Sequence, residues 1–189
     1  MFLRRLTIAL AVLWALTEIF INLKQAKSAR VKNRKDRGSL LLIYAAVTAG
    51  FYLGAPMSSG MRGRISFAYP YIEISGLVLM IAGFAVRLSA AWALKGQFTH
   101  FVTVQAEDKL VQTGLYRSIR HPAYAGELIT LLGIGLALGN WLSVLAIFGM
   151  PLLALLFRIS VEEKVMLAHY GGEYLEYRSR TKRLIPGIY

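Results

Sequence analysis

KLVQTGLYRSIRHPAYAG, residues 109–126, is a basic, aromatic, turn-rich segment set between two long apolar runs. His121 precedes Pro122, whose ring disfavours the α region for the residue before it, so extended geometry is expected at His121. Pro122 suits the first position of a helix, where its missing N–H has no intrahelical partner to lose. From Ala123 the chain stays largely apolar for about thirty residues, with a break at Gly139-Asn140. His121 therefore stands at the mouth of a helix entering a membrane, where free N–H groups and the helix dipole favour an anion.

The rest of the chain agrees with that setting. Of 189 residues, 56% are hydrophobic and only 17% are charged, and the apolar residues come in blocks. That is too apolar for an ordinary soluble domain, and it predicts a single all-α integral membrane domain over residues 1–189. The absence of cysteine excludes disulfides, a thiolate nucleophile and thiolate metal ligands. A net charge of +12 would point to nucleic acid in a soluble protein, but here the charge lies in loops beside apolar spans. Orientation and anionic headgroups account for it, and no nucleic-acid partner is expected.

About five membrane spans are expected, at 6–23, 39–56, 69–94, 124–138 and 141–157. The first follows Arg4 and Arg5 as a signal peptide would, but Glu18 to Leu23 offers no small-residue cleavage site, so a retained helix is expected. Glu18 and Asn22 share one face of it, predicted to pack inside the bundle. Tyr69, Tyr71 and Trp92 rim the third span as an aromatic belt, and Arg87 in its last third is expected to snorkel or to face the bundle interior. Only Gly139 and Asn140 separate spans four and five, which predicts a tight antiparallel helical hairpin. Gly133 and Gly135 in mid-span read as packing residues.

The basic residues cluster in the 24–37 loop, the 95–121 connection and the tail from Arg158. The positive-inside rule then places the N-terminus outside and these three segments in the cytoplasm, in a bacterium beneath the inner membrane. The 95–121 connection and the tail can meet there in one site.

The tail reads RISVEEKVMLAHYGGEYLEYRSRTKRLIP, residues 158–186. If the last span continues as a helix, Arg158 and Glu162 share a face, and Glu163 points about 100° away. A local ion pair ending the helix is one reading of Arg158 and Glu162. The other is a pair of tools: a guanidinium fork for a carboxylate or phosphate, and a carboxylate to accept from hydroxyls or an amine. Gly171-Gly172 should break the helix, and Tyr174, Leu175 and Tyr177 then form an amphipathic stretch over the site or on the interface. Arg178, Arg180, Lys182 and Arg183 are expected to face headgroups. His100, His121 and His169 lack the short spacing of a zinc site, and no metal is expected. There is no nucleophile elbow, P-loop or strand-borne dinucleotide motif.

Gly114-x-Tyr116 followed by Arg120-His121-Pro122-x-Tyr124-x-Gly126 resembles the signature of isoprenylcysteine carboxyl methyltransferases and related membrane methyltransferases. So does Glu162-Glu163 followed by Tyr170-Gly171-x-x-Tyr174-x-x-Tyr177 and Leu184-Ile185-Pro186. The resemblance covers the C-terminal half, residues 97–189, in two blocks of matching order and spacing. It implies a multi-span helical enzyme using S-adenosylmethionine on a lipophilic, prenyl- or lipid-like methyl acceptor. Its cofactor pocket would be built by the loop before span four and the C-terminal tail, on the cytoplasmic side. Carried over by position, cofactor contacts fall on Lys109, Leu110, Val111, Gly114, Leu115, Tyr116, His121, Pro122, Tyr124 and Glu162. The acceptor-facing arginine falls on Arg158. Many relatives carry a histidine near where this chain has Asp108-Lys109, so a contact there differs or runs through the backbone.

Carboxyl O-methylation of an isoprenylcysteine-like substrate is the activity this implies. A phospholipid or small-amine N-methyltransferase would keep the cofactor site but need to shed a proton from nitrogen. A sterol-type reductase, which shares the Arg-His-Pro block, would bind NADPH instead, and a non-enzymatic membrane scaffold would need neither. The short chain and the Glu-Glu…Tyr-Gly tail favour the methyltransferases.

Overall fold

The computed structural model describes residues 2–26, 38–66, 70–94 and 109–189. The basic segment 27–37, the stretch 67–69 with Tyr69, and the stretch 95–108 with His100 and Asp108 lie outside the described residues, as do the side chains of Asn22 and Lys24. The described chain is helical: α1 Phe2–Ala26, α2 Gly38–Met57, α3 Tyr71–Ala93, a 3-10 turn at Gly114–Arg117, α4 Pro122–Ala137, α5 Trp141–Tyr170 and α6 Gly172–Arg180.

Three of these, α2, α3 and α5, are long and apolar enough among the described residues to cross a membrane. Helix α4 is apolar but has only 16 residues. The outward faces carry Leu41, Tyr52, Val78, Ile81, Leu145 and Leu153, each more than half exposed. In water such continuous apolar faces would drive association; against lipid they cost nothing.

Where lipid tails are as apolar as leucine, helices associate by close contact rather than by escape from water. Helices α3 and α4 do this through facing glycines. A Cβ built on Gly133 would stand 2.4 Å from the Met80 backbone nitrogen, and one on Gly126 2.5 Å from that of Arg87. Gly76 and Gly83 meet α4 in the same way, and Gly135 lies against Val144 of α5, so the mid-span glycines are packing residues as their positions suggested. Trp14, Met80, Leu131, Ile134 and Ile147 form the central apolar cluster, which draws α1, α3, α4 and α5 together.

The hairpin between α4 and α5 follows from its two loop residues. Gly139 takes φ +65°, a conformation side chains rarely adopt. Asn140 caps α5, accepting from Leu142 N at 2.8 Å and Ser143 N at 3.4 Å, while its amide donates to the Met57 and Arg62 carbonyls. Within α5, a π-helical turn at Leu145–Gly149 precedes Pro151. A proline has no N–H for the carbonyl four residues back, and the wider turn absorbs that loss.

Helix α5 does not stop where the apolar run stops. It continues past Phe157 to Tyr170, because the polar residues on that stretch find partners: Arg158 and Glu163 are buried there. Gly171, at φ +54°, ends it. Helix α6 then buries Tyr174 and Tyr177 and leaves Leu175 exposed, the amphipathic pattern its sequence predicts.

Candidate active site

The expected break at His121-Pro122 is present. His121 has φ −124° and ψ 56°, outside the helical well, and Pro122 opens α4. His121 is buried and its ring stacks on Tyr124 at 5.7 Å. The segment before α4 is fixed from two sides. Residues 118–121 pair in parallel with the tail: Arg120 N donates to Lys182 O at 2.7 Å, Lys182 N to Ser118 O at 3.1 Å, and His121 N to Arg183 O at 3.0 Å. On the other side, Tyr116 packs against Ala90 of α3 and Ala123 of α4, with Val111 alongside. The Tyr177 hydroxyl donates to Tyr116 O at 2.7 Å, which seats α6 on the 3-10 turn. Burial pushes the Tyr177 phenol up to about 12, so it remains a donor throughout the neutral range. Burial first, and then the Glu162 carboxylate, hold the Tyr116 phenol above its usual range as well.

Below this segment lie two polar networks. In the first, Tyr124 stands between two residues of α5. Arg158 Nε donates to the Tyr124 hydroxyl oxygen at 3.4 Å, and that hydroxyl donates to Glu162 Oε2 at 2.8 Å. Arg158 Nη1 also donates to Ser39 Oγ at 2.6 Å, at the start of α2. Arg158 is 1% exposed. In the second, Glu163 is 5% exposed and is ringed by cations. Arg120 Nε donates to its Oε1 at 3.0 Å, Arg183 Nη2 to its Oε2 at 3.0 Å, and His121 Nε2 lies 3.4 Å from Oε1. Arg120 also donates to the Thr181 and Arg178 carbonyls. One carboxylate thus ties the loop, α5 and the tail together.

The residues expected to meet in a site therefore divide. Tyr116, His121, Pro122, Tyr124, Arg158 and Glu162 come to one end of the helix bundle, with Val111 against Tyr116. Lys109, Gly114 and Leu115 are exposed on the same segment, and Leu110 is half-buried. The sequence did not point to Ser39 or Glu127, nor to Glu163 as the hub of an ion cluster. Arg120 and Glu163 carried a signal, as members of the Arg-His-Pro block and of the Glu-Glu pair. Arg183, expected to face headgroups, turns instead onto Glu163, whose buried carboxylate draws it in.

Arg87 faces the bundle interior, the second of its two expected placements, at 3% exposure. It forks onto the carboxylate of Glu18, with Nη2 donating to Oε2 at 2.6 Å, and Nη1 donates to Ala123 O at 3.2 Å. Glu127 Oε2 lies 2.8 Å from Arg87 Nε as an ion pair, off the axis of the N–H that points to Glu18. This buried group joins α1, α3 and α4 one turn below His121. Among the described residues no group of three His, Cys, Asp or Glu is arranged to hold a metal ion.

The sequence model of the phospholipid methyltransferase family matches residues 71–173, more than half of the chain. The chain belongs to the phospholipid methyltransferase family. The matched segment runs from the first residue of α3 into α6 and contains Arg87, His121, Tyr124, Arg158, Glu162 and Glu163. Ser39, Glu18, Tyr177 and Arg183, which complete the contacts of this family segment, lie outside it. Among curated relatives, the probable protein-S-isoprenylcysteine O-methyltransferase of Oryza sativa subsp. indica is 34% identical over 122 residues, 64% of this chain and 64% of that protein. The protein-S-isoprenylcysteine O-methyltransferase of Schizosaccharomyces pombe is 32% identical over 66% of this chain and 53% of its own length. The human protein of the same name is 30% identical over 62% of this chain and 42% of its own. The chain thus spans less than two thirds of each of these relatives. In architecture it is similar to the eukaryotic intramembrane Ras methyltransferase, isoprenylcysteine carboxyl methyltransferase, with a TM-score of 0.58 at 22% identity over 89% of this chain and 60% of that one. That likeness covers the helical membrane fold of this phospholipid methyltransferase family member.

Proposed function

We propose that this protein transfers a methyl group from S-adenosylmethionine to the carboxylate of an isoprenylcysteine-like acceptor at the membrane. It would do so as one domain over residues 1–189, with the catalytic half at 97–189. One observation carries the reading: the two separated sequence blocks meet, with Tyr124 of the first hydrogen-bonded to both Arg158 and Glu162 of the second. The names of the relatives support the acceptor class.

The chemistry of the donor set fits the cofactor. Tyr116 and Tyr124 supply aromatic walls, and the half-buried Glu162 supplies a carboxylate beside them. That carboxylate suits an ammonium or a ribose diol. When bound, S-adenosylmethionine supplies an electrophilic methyl group. In this reading His121, Pro122 and the start of α4 receive the anionic end of its methionyl part, and Val111, Gly114 and the backbone of Lys109, Leu110 and Leu115 line the remainder. Arg158 grips the acceptor carboxylate as a two-pronged donor. A carboxylate is already ionised at neutral pH, so no strong general base is required. The protein's work is to align the two ligands and exclude water from between them. A prenyl-like tail would enter sideways from lipid, past the exposed apolar faces.

Cofactor binding tests this directly. Purified protein titrated with S-adenosylmethionine should bind it. His121→Ala and Glu162→Ala should each lose about 1–3 kcal/mol of binding as a lost polar contact. Unchanged affinity in both folded variants would place the pocket elsewhere. NADPH titrated in parallel should give no heat, and heat there would favour a reductase.

For orientation, we propose five spans with the 24–37 loop and the C-terminal tail in the cytoplasm, facing anionic headgroups. With single cysteines in a cysteine-free chain, an impermeant thiol reagent applied from outside should label position 60. It should not label position 30 or 180. Labelling at 180 from outside would turn the site to the other face.

A further inference from the structure

The Tyr124 hydroxyl is in hydrogen-bond contact with both Arg158 and Glu162. It accepts from the guanidinium and donates to the carboxylate, so the three groups form a polarised chain from cation to anion. Ser39 Oγ extends the chain to α2 by accepting from Arg158 Nη1 at 2.6 Å. The chain crosses three helices, and both its charged ends come from α5.

We infer that this hydroxyl couples the two ligand sites, so that occupying the acceptor side strengthens binding on the cofactor side. The inference rests on the roles proposed above for Arg158 and Glu162. Hydrogen bonds in a chain polarise one another, and more strongly in a low-dielectric interior. In the ligand-free protein, the positive charge of Arg158 acts on Glu162 through the Tyr124 O–H. An anionic acceptor on Arg158 neutralises that charge and weakens its pull on the Tyr124 oxygen. The Tyr124 proton then engages Glu162 less, and the carboxylate is more available to an ammonium or ribose hydroxyl. By linkage the effect is reciprocal: a filled cofactor side must strengthen acceptor binding by the same factor. The consequence for turnover is that the two substrates assemble together. A lone cofactor or a lone lipid would be held more weakly than the pair.

The coupling is measurable without turnover. S-adenosylhomocysteine, which has no transferable methyl group, is titrated into the purified protein alone and with saturating N-acetyl-S-farnesylcysteine. In the parent, the acceptor should tighten S-adenosylhomocysteine by about fivefold or more, the lower end of ordinary coupling energies. Tyr124→Phe keeps the ring that stacks on His121 and removes only the hydroxyl. Its two affinities should agree within about twofold. The same factor in Tyr124→Phe as in the parent, or no factor in the parent, overturns the inference. A merely structural role would weaken both titrations alike and leave their ratio unchanged. If Tyr124→Phe fails to melt cooperatively, the parent is titrated with the methyl ester of N-acetyl-S-farnesylcysteine in place of the acid. The ester has no carboxylate to neutralise Arg158, and tightening of S-adenosylhomocysteine as large as the acid's would overturn the inference. Failure of the underlying reading looks different, because the parent would then bind no S-adenosylhomocysteine even alone.

Discussion

Arg158→Ala should bind S-adenosylhomocysteine at least as tightly as the parent and lose most of its methyl transfer to a prenylcysteine analogue. Arg158 is fully buried, and its Nη1 and Nε are directed to Ser39 and Tyr124 by α2 and α4. A guanidinium held in this way is a preset fork for a carboxylate, and its loss strands a buried anion. Truncating one partner of such a pair costs about 2–5 kcal/mol, or roughly 30- to 5,000-fold in kcat/KM. Arg158→Lys should recover only part of this, because a point charge cannot reproduce a bidentate fork. A purely structural role predicts another pattern: Arg158→Ala and Glu162→Ala would melt early to a similar degree, and neither would act selectively on turnover. The measurements are a thermal melt, a cofactor isotherm and a transfer assay on the same preparations. Transfer at the parent rate by Arg158→Ala would end the carboxylate-gripping role. A nitrogen acceptor would then be the better reading.

The second large effect is on stability. Glu163→Ala should lower the melting temperature by about 6–20 °C, from a loss of about 3–5 kcal/mol. The Glu163 carboxylate accepts from Arg120 and Arg183 and lies beside His121, all within 3.4 Å. Removing it leaves two guanidinium groups facing each other at one end of the bundle with no anion between them, and a buried charge without its partner is far costlier than the pair. The same change frees the tail, because Arg120 and Arg183 also lie on the backbone pairing of 118–121 with 182–183. Glu163→Gln keeps an acceptor oxygen and should cost less. A Glu163→Ala protein that melts with the parent would show that the cluster does not hold the tail.

These two residues illustrate what a sequence shows and what it hides. Arg158 was legible: it stands at the end of an apolar run, four residues before Glu162, on a helix whose continuation could be argued. The ion cluster around Glu163 was not legible. Its cations lie 43 and 20 residues away, and helical spacing says only which way Glu163 points, not what stands there. Arg87 shows the same limit. Its position near the end of a span restricted it to snorkelling or to the bundle interior, while its partners Glu18 and Glu127 come from two other helices.

The sequence by itself determined the local elements, because each depends on residues within a turn or two of one another. The apolar runs became α2, α3 and α5, Pro122 opened α4, Gly139 and Asn140 made the hairpin, and Gly171 ended α5. Only the tertiary structure decided where the polar side chains settled. Ser39 reaches Arg158 across 119 residues, and Tyr177 reaches the Tyr116 carbonyl across 61. The extension of α5 beyond the apolar run was decided in the same way. A buried polar group is stable only opposite its partner. Which partner arrives is set by helix packing, here by glycines that bring α3 and α4 into backbone contact.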